Sequence, residues 1–357
     1  MPSNPSHDSP EILIIAKQRS HKWLTAIVSL VLTVTVATLA LAHGPADIPT
    51  WTVLKIIASN VTQIDMAQSW PNSWETIVWN IRLPRVIAAM LIGCSLAIAG
   101  GTYQGLFRNP LADPYLIGVA SGAGLAATIV LISPIPSTIN GISLLTPIAF
   151  TGAMIAVGLT YSVARTNKAI PVTTLVLAGV AIAFLGSATT TFLMLVVSSN
   201  VRPILTWLLG GFTAIGWIDV AWILPYLLPS IIAILLHART LNTLQLGEEQ
   251  AQRLGIDVER TKAILVISAS LATAAAVSVS GMIGFVGLIA PHSVRLIYGS
   301  DHRLVLPLSC AVGAILMVLS DLLARTIISP EEIPVGIITA FLGAPFFLYL
   351  LRHNSGR

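Results

Sequence analysis

Apolar runs of about 20 residues recur along the whole chain, each the length that crosses about 30 Å of hydrocarbon as a helix. A soluble core cannot absorb them: 55% of the 357 residues are hydrophobic and only 10% charged, against about 25% charged in an ordinary soluble domain. The sequence therefore predicts an all-α polytopic membrane protein. Ten spans are expected, at Trp23–Ala42, 86–106, 115–133, 142–163, 170–198, 217–237, 262–283, 284–298, 304–325 and 334–351. The 284–298 run is short and holds Pro291, His292 and Arg295, so a re-entrant or broken helix fits it as well. Ala40-Leu41-Ala42 resembles a signal-peptidase site. The apolar run before it exceeds the usual 7–15-residue core of such signals, so it reads as a span. The chain divides into an N-terminal tail (1–23), a transmembrane domain (24–352) and a C-terminal tail (353–357).

Basic residues orient such a bundle. With the N-terminus inside, 14 of the 19 Lys and Arg fall in inner segments, and Lys55, Arg82, Arg85, Arg202 and Arg325 remain outside. Both termini and the 238–262 loop are then cytoplasmic, and the net charge of +4 reflects orientation rather than nucleic-acid binding. Seven of the eight Trp, all but Trp23, fall in or beside outer loops, as an interfacial belt requires. The 43–85 segment, with Trp51, Trp70, Trp74 and Trp79, reads as a polar interfacial loop. Cys94 and Cys310 both lie inside apolar runs, so neither a disulfide framework nor a zinc ligand set is implied.

The one sizeable inward-facing polar interlude is His237 to Lys262. It reads as two short helices and a hinge. Gly247 ends the first piece, and Glu248 and Glu249 occupy a first turn, where the helix dipole favours negative charge. Arg253 then falls in the last turn with Gly255 just beyond, and Asp257 caps the helix that runs into the next span. Taken alone this is a solvated loop; within a hydrocarbon-rich chain it is a candidate lever.

What would move the lever follows by elimination. Ion-coupled carriers need ionisable groups at depth, and one acid, Asp321, lies clearly inside a span, with Asp219 at an interface; Asp321 is four residues before Arg325 and can pair with it along the helix. Nor is there an H-E-x-x-H, a G-x-x-x-x-G-K-[ST] or a Cys/His metal spacing. Gly93-Cys94-Ser95 loosely matches the G-x-S of intramembrane serine proteases, with His292 as a conceivable base, yet Ser among Gly and Ala in a span reads as a packing residue. Energy delivered by another molecule is the remaining reading, with a self-sufficient secondary carrier and a protease built on Ser95 as its rivals.

Six strings carry a resemblance. They are Arg82-Leu-Pro-Arg85, Gly105-Leu-Phe-Arg-Asn-Pro-Leu-Ala-Asp-Pro114, Leu177-Ala-Gly-Val180, Gly247-Glu-Glu-Gln-Ala-Gln-Arg-Leu-Gly255, Gly284-Phe-Val-Gly-Leu-Ile-Ala-Pro-His292 and the Glu332–Pro345 segment. Occurring in order over roughly residues 20–352, they resemble the FecCD family, permease subunits of binding-protein-dependent ATP-binding-cassette importers for ferric siderophores, haem and cobalamin. The resemblance implies a type II importer permease in a bacterial plasma (inner) membrane, paired with a second identical or paralogous permease. Two ATPase subunits would lie beneath and a periplasmic or lipoprotein binding protein above. It also implies no cofactor on this chain, ATP and Mg being held by the ATPase.

Residue by residue, Glu248, Glu249, Gln250, Arg253, Leu254 and Gly255 resemble the coupling helix that lies in a groove of the ATPase. Arg82, Arg85 and Arg325 match a basic triplet that receives acidic residues of the binding protein. Pro171, Val172, Thr173 and Thr174 match a cytoplasmic gate. The Pro330–Gly336 and Ala344–Leu348 strings lean toward the siderophore members, so a ferric siderophore is the expected cargo, with cobalamin or haem as the alternative.

Overall fold

A computed structural model of the chain describes residues 10–44, 46–62, 70–134, 138–139, 142–166, 170–197 and 200–354. In chain order its helices are α1 (Pro10–Ala42), α2 (Thr50–Thr62), α3 (Asn72–Glu75), α4 (Leu83–Leu106), α5 (Val119–Ile132), α6 (Leu145–Ala164), α7 (Val172–Val196), α8 (Arg202–Leu209), α9 (Trp217–Leu236), α10 (Ala238–Leu244), α11 (Glu248–Arg253), α12 (Val258–Ser280), α13 (Val286–Tyr298), α14 (His302–Thr326) and α15 (Val335–Asn354). A π-helical stretch, Thr76–Arg82, fuses α3 to α4 in one rod. Strands β1 (Thr138–Ile139) and β2 (Ile142–Ser143) pair antiparallel between α5 and α6. Each of the ten expected spans is met by a helix: among the described residues seven are long and apolar enough to cross a membrane, α5 and α15 are shorter apolar helices, and α13 has 13 residues. The face carrying α10 and α11 is called the lower face below, and its opposite the upper face.

Three expectations change. The first helix begins at Pro10, inside the segment that reads as a polar tail, because no Gly or Pro interrupts the chain from there to Ala42. The 43–85 segment is largely helical rather than a loop, and α2 buries Val53 and Ile56 against the bundle. Helix α8 is additional. Residues 1–9 and 355–357 of the two tails, and Lys168 and Arg357 of the charge count, lie outside the described residues.

Small residues let the helices meet backbone to backbone. A Cβ on Gly100 would sit 1.9 Å from the Gly287 carbonyl oxygen, and one on Gly93 would sit 2.2 Å from that of Gly313. These seams fix α4 against α13 and α14.

The 284–298 region holds one short helix, set off from α12 by a non-helical break. Helix α12 stops at Ser280, residues 281–285 are not helical, and α13 starts at Val286. Non-helical backbone is tolerated at membrane depth only where protein satisfies it. Here Gly211 N donates to Ser280 O (2.8 Å), and the Tyr115 hydroxyl donates to Ile283 O (2.9 Å) while accepting from Ile283 N (3.0 Å). Asp113 holds Tyr115 by accepting from its backbone N–H at 2.8 Å, and burial pushes the Asp113 carboxyl up to about 6. Replacing Tyr115 by Phe keeps the ring but orphans both Ile283 groups, a change expected to cost about 1–3 kcal/mol. A thermal melt of the purified protein in detergent reads this, and an unshifted midpoint would show that the hydroxyl does not support the break.

Candidate functional site

The lower-face hairpin forms as its sequence dictates. Gly247 (φ 117°) and Gly255 (φ 83°) take backbone conformations that side chains disfavour, and they bound α11 on either side. Asp257 caps α12 by accepting from Arg260 N at 3.0 Å. Of α11 only Ala251 is buried, so Glu249, Gln250, Arg253 and Leu254 face outward, Leu254 being 67% exposed. Glu249 and Arg253 pair with each other at 2.6 Å on that open surface.

Glu248 behaves differently from its neighbour. Its Oε2 lies 2.7 Å from Lys262 Nζ, and Lys262 is 4% exposed. The same ammonium donates to Glu259 Oε1 (3.0 Å) and to Ile170 O (3.3 Å), while Ile170 N donates to Glu259 Oε2 (2.9 Å). Unlike that of Glu249, the Glu248 carboxylate is engaged with the body of the bundle. Ile170 directly precedes the expected gate. Pro171 and Thr173 are exposed at the lower end of α7, with Val172 and Thr174 half-buried.

A second set of bonds ties α10 to the other half of the bundle. Asn242 donates to Asp301 Oδ1 (2.7 Å) and accepts from His302 N (2.8 Å), and Gln245 donates to Gly105 O (2.6 Å). Farther in, Arg295 binds Gln104 Oε1, and Gln104 donates to Gly287 O at 3.3 Å. The hairpin is thus bonded to the lower ends of α4 and α14. Sequence reading missed Lys262, Asn242 and Gln245 as connectors; the placement of Lys262 three residues after Glu259, at the mouth of a span, was the available signal.

On the upper face the three arginines of the expected docking triplet are buried. Arg82, Arg85 and Arg325 are 3%, 7% and 3% exposed, and their donors point into the chain. Arg85 reaches Asp321 Oδ1 (2.7 Å) and Glu332 Oε1 (2.9 Å), and Arg325 Nε lies 3.7 Å from Asp321 Oδ2. Arg325 also donates to Ala40 O, and Arg82 to Leu41 O (2.9 Å), Ala42 O (3.3 Å) and Ala46 O. Together these bonds staple the upper ends of α1, α4 and α14. Reversing Arg85 to Glu would set three carboxylates together, so the expected result is loss of folded protein rather than salt-sensitive loss of docking. A folded variant by size-exclusion chromatography would contradict that. Ser95 is fully buried and donates to Leu91 O of its own helix at 2.8 Å, which is a packing role.

A model of the FecCD transport family matches residues 30–353. The cobalamin import system permease of Halobacterium salinarum is 46% identical over 80% of this chain and 76% of its own length. The hemin transport system permease of Yersinia pestis is 39% identical over 81% and 88%. A solved inward-facing ABC transporter of metal-chelate type superposes with a TM-score of 0.78 at 28% identity, over 92% of this chain and 98% of that one.

Proposed function

The chain belongs to the FecCD transport family of ABC importer permeases, and on that premise we propose that it passes a metal chelate inward while separate ATPase subunits, holding ATP and Mg, drive it from the lower face. The observation that carries the reading is α11, a six-residue helix whose exposed side is Glu249, Gln250, Arg253 and Leu254 and whose other side is bonded into the bundle. A surface of that build suits a groove on a partner protein. The partners are a second permease, two ATPase subunits and a substrate-binding protein on the upper face. The lower face is cytoplasmic, as are both termini on the charge-bias reading, and the membrane is the plasma (inner) membrane of a bacterium.

Cobalamin is the first cargo to test, because the 46% identical relative is named for it. A ferric siderophore is the second, supported by the Pro330–Gly336 and Ala344–Leu348 strings. Equilibrium binding of each chelate to the cognate binding protein discriminates them: a single class bound tightly names the cargo, and binding of neither overturns both. For the coupling surface, Leu254→Asp with Arg253→Glu should abolish ATP-driven uptake in assembled vesicles while the permease remains folded. Unchanged uptake in that variant would remove α11 from the drive.

A further inference from the structure

We propose that Lys262 is the transmission joint of this permease, a positioning residue that converts displacement of α11 into displacement of the 170–174 segment at the lower end of α7. The inference deepens the coupling reading above and rests on it. Among the described residues, Glu248 to Lys262 is the ion pair that leaves α11 for the bundle, since Arg253 and Glu249 pair within the helix. An ammonium has three donors, and all three are taken: Glu248 on the lever, Glu259 on the first turn of α12, and the Ile170 carbonyl. Glu259 meanwhile accepts from Ile170 N, so both backbone polar groups of Ile170 are gripped by one charged pair. The next residue is Pro171, where α7 begins. Ile170, Ala251 of α11 and Val258 of α12 share one buried apolar cluster, which backs the polar joint with packing.

Stability alone does not account for this arrangement. A buried charge gives up hydration, and apolar replacements of buried ion pairs are often neutral or stabilising. What a lysine adds is a compact charge on a flexible stem, able to keep its acceptors while they shift relative to one another; the planar fork of arginine is less adaptable. Seated between lever and mouth, the ammonium holds Ile170 to whatever position α11 adopts.

The test uses the full complex of permease, ATPase and binding protein in vesicles, comparing the wild type with Lys262→Met, Lys262→Arg and Glu259→Gln. Two quantities are read: chelate taken up per ATP hydrolysed, and hydrogen exchange of the amides of residues 170 and 172–174 with and without ATP. Lys262→Met is expected to lower uptake per ATP by about tenfold, within the 5–150-fold range of ordinary coupling energies. It should also erase the ATP-dependent exchange difference while hydrolysis continues. Glu259→Gln, which leaves the Glu248 pair in place but weakens the hold on Ile170, should lose part of both, and Lys262→Arg should restore most of each. Should Lys262→Met fail to assemble, Glu259→Gln decides: an unchanged exchange difference overturns the proposal. So does wild-type uptake per ATP in Lys262→Met. If the wild-type complex itself shows no ATP-driven uptake, the coupling reading has failed rather than this joint.

Discussion

Replacing Asp321 by Asn is expected to destabilise the folded bundle by about 3–5 kcal/mol, the usual cost of removing one partner from a buried ion pair. Asp321 is 1% exposed and is shared by Arg85 at 2.7 Å and Arg325 at 3.7 Å. The amide fills the same volume, so packing is kept and the loss is electrostatic. Among the described residues, two guanidinium groups are left with Glu332 as the nearby carboxylate, and that residue is bonded to Arg85. The partner experiment is Arg85→Met with Asp321→Leu, which removes both members of the pair. The double variant removes the Arg85 charge but leaves Arg325 without Asp321 and Glu332 without Arg85, so it should recover only part of what the single one loses. A thermal-denaturation cycle in detergent reads both, and additive losses would mean that the two residues do not act on each other.

Gly281→Val should be severely damaging to the interior. Gly281 ends α12 with φ 70°, and a Cβ there would sit 2.0 Å from the Trp207 carbonyl oxygen. The left-handed conformation and the overpacking each cost about 1–3 kcal/mol, and the atoms met are backbone rather than a flexible side chain that could yield. The expected outcome is loss of the monodisperse peak when detergent extracts are run by size exclusion. Gly284→Ala, at a neighbouring glycine with open space around it, should leave the peak intact. Equal behaviour of the two would contradict the close packing of α8 on the break.

The spans were legible because each is a long run of one physical character, and the hinge of the lower hairpin because its punctuation is local. Gly247, Gly255 and Asp257 act within a few residues of themselves, and each takes the conformation its position suggests. Helix α8 was not legible, being eight residues long and held by contacts with residues 280–283 and 335–336, far away in the chain. The burial of the three upper arginines was not legible for a related reason. Counting charge by loop cannot see that Arg85 meets Asp321 across 236 residues and Glu332 across 247. Glu248 and Glu249 look equivalent in the sequence; about 100° of helix phase separates a carboxylate bound to a buried lysine from one in solvent. Of the Lys262 joint, the Glu259 contact is local, whereas Ile170 is 92 residues distant.

The most direct test of the whole account is uptake by vesicles carrying the purified permease, with and without its ATPase subunits and binding protein. The prediction is that labelled chelate enters only when all components and ATP are present, and that the chain alone, under any proton or sodium gradient, passes none. Gradient-driven uptake by the permease alone would contradict it.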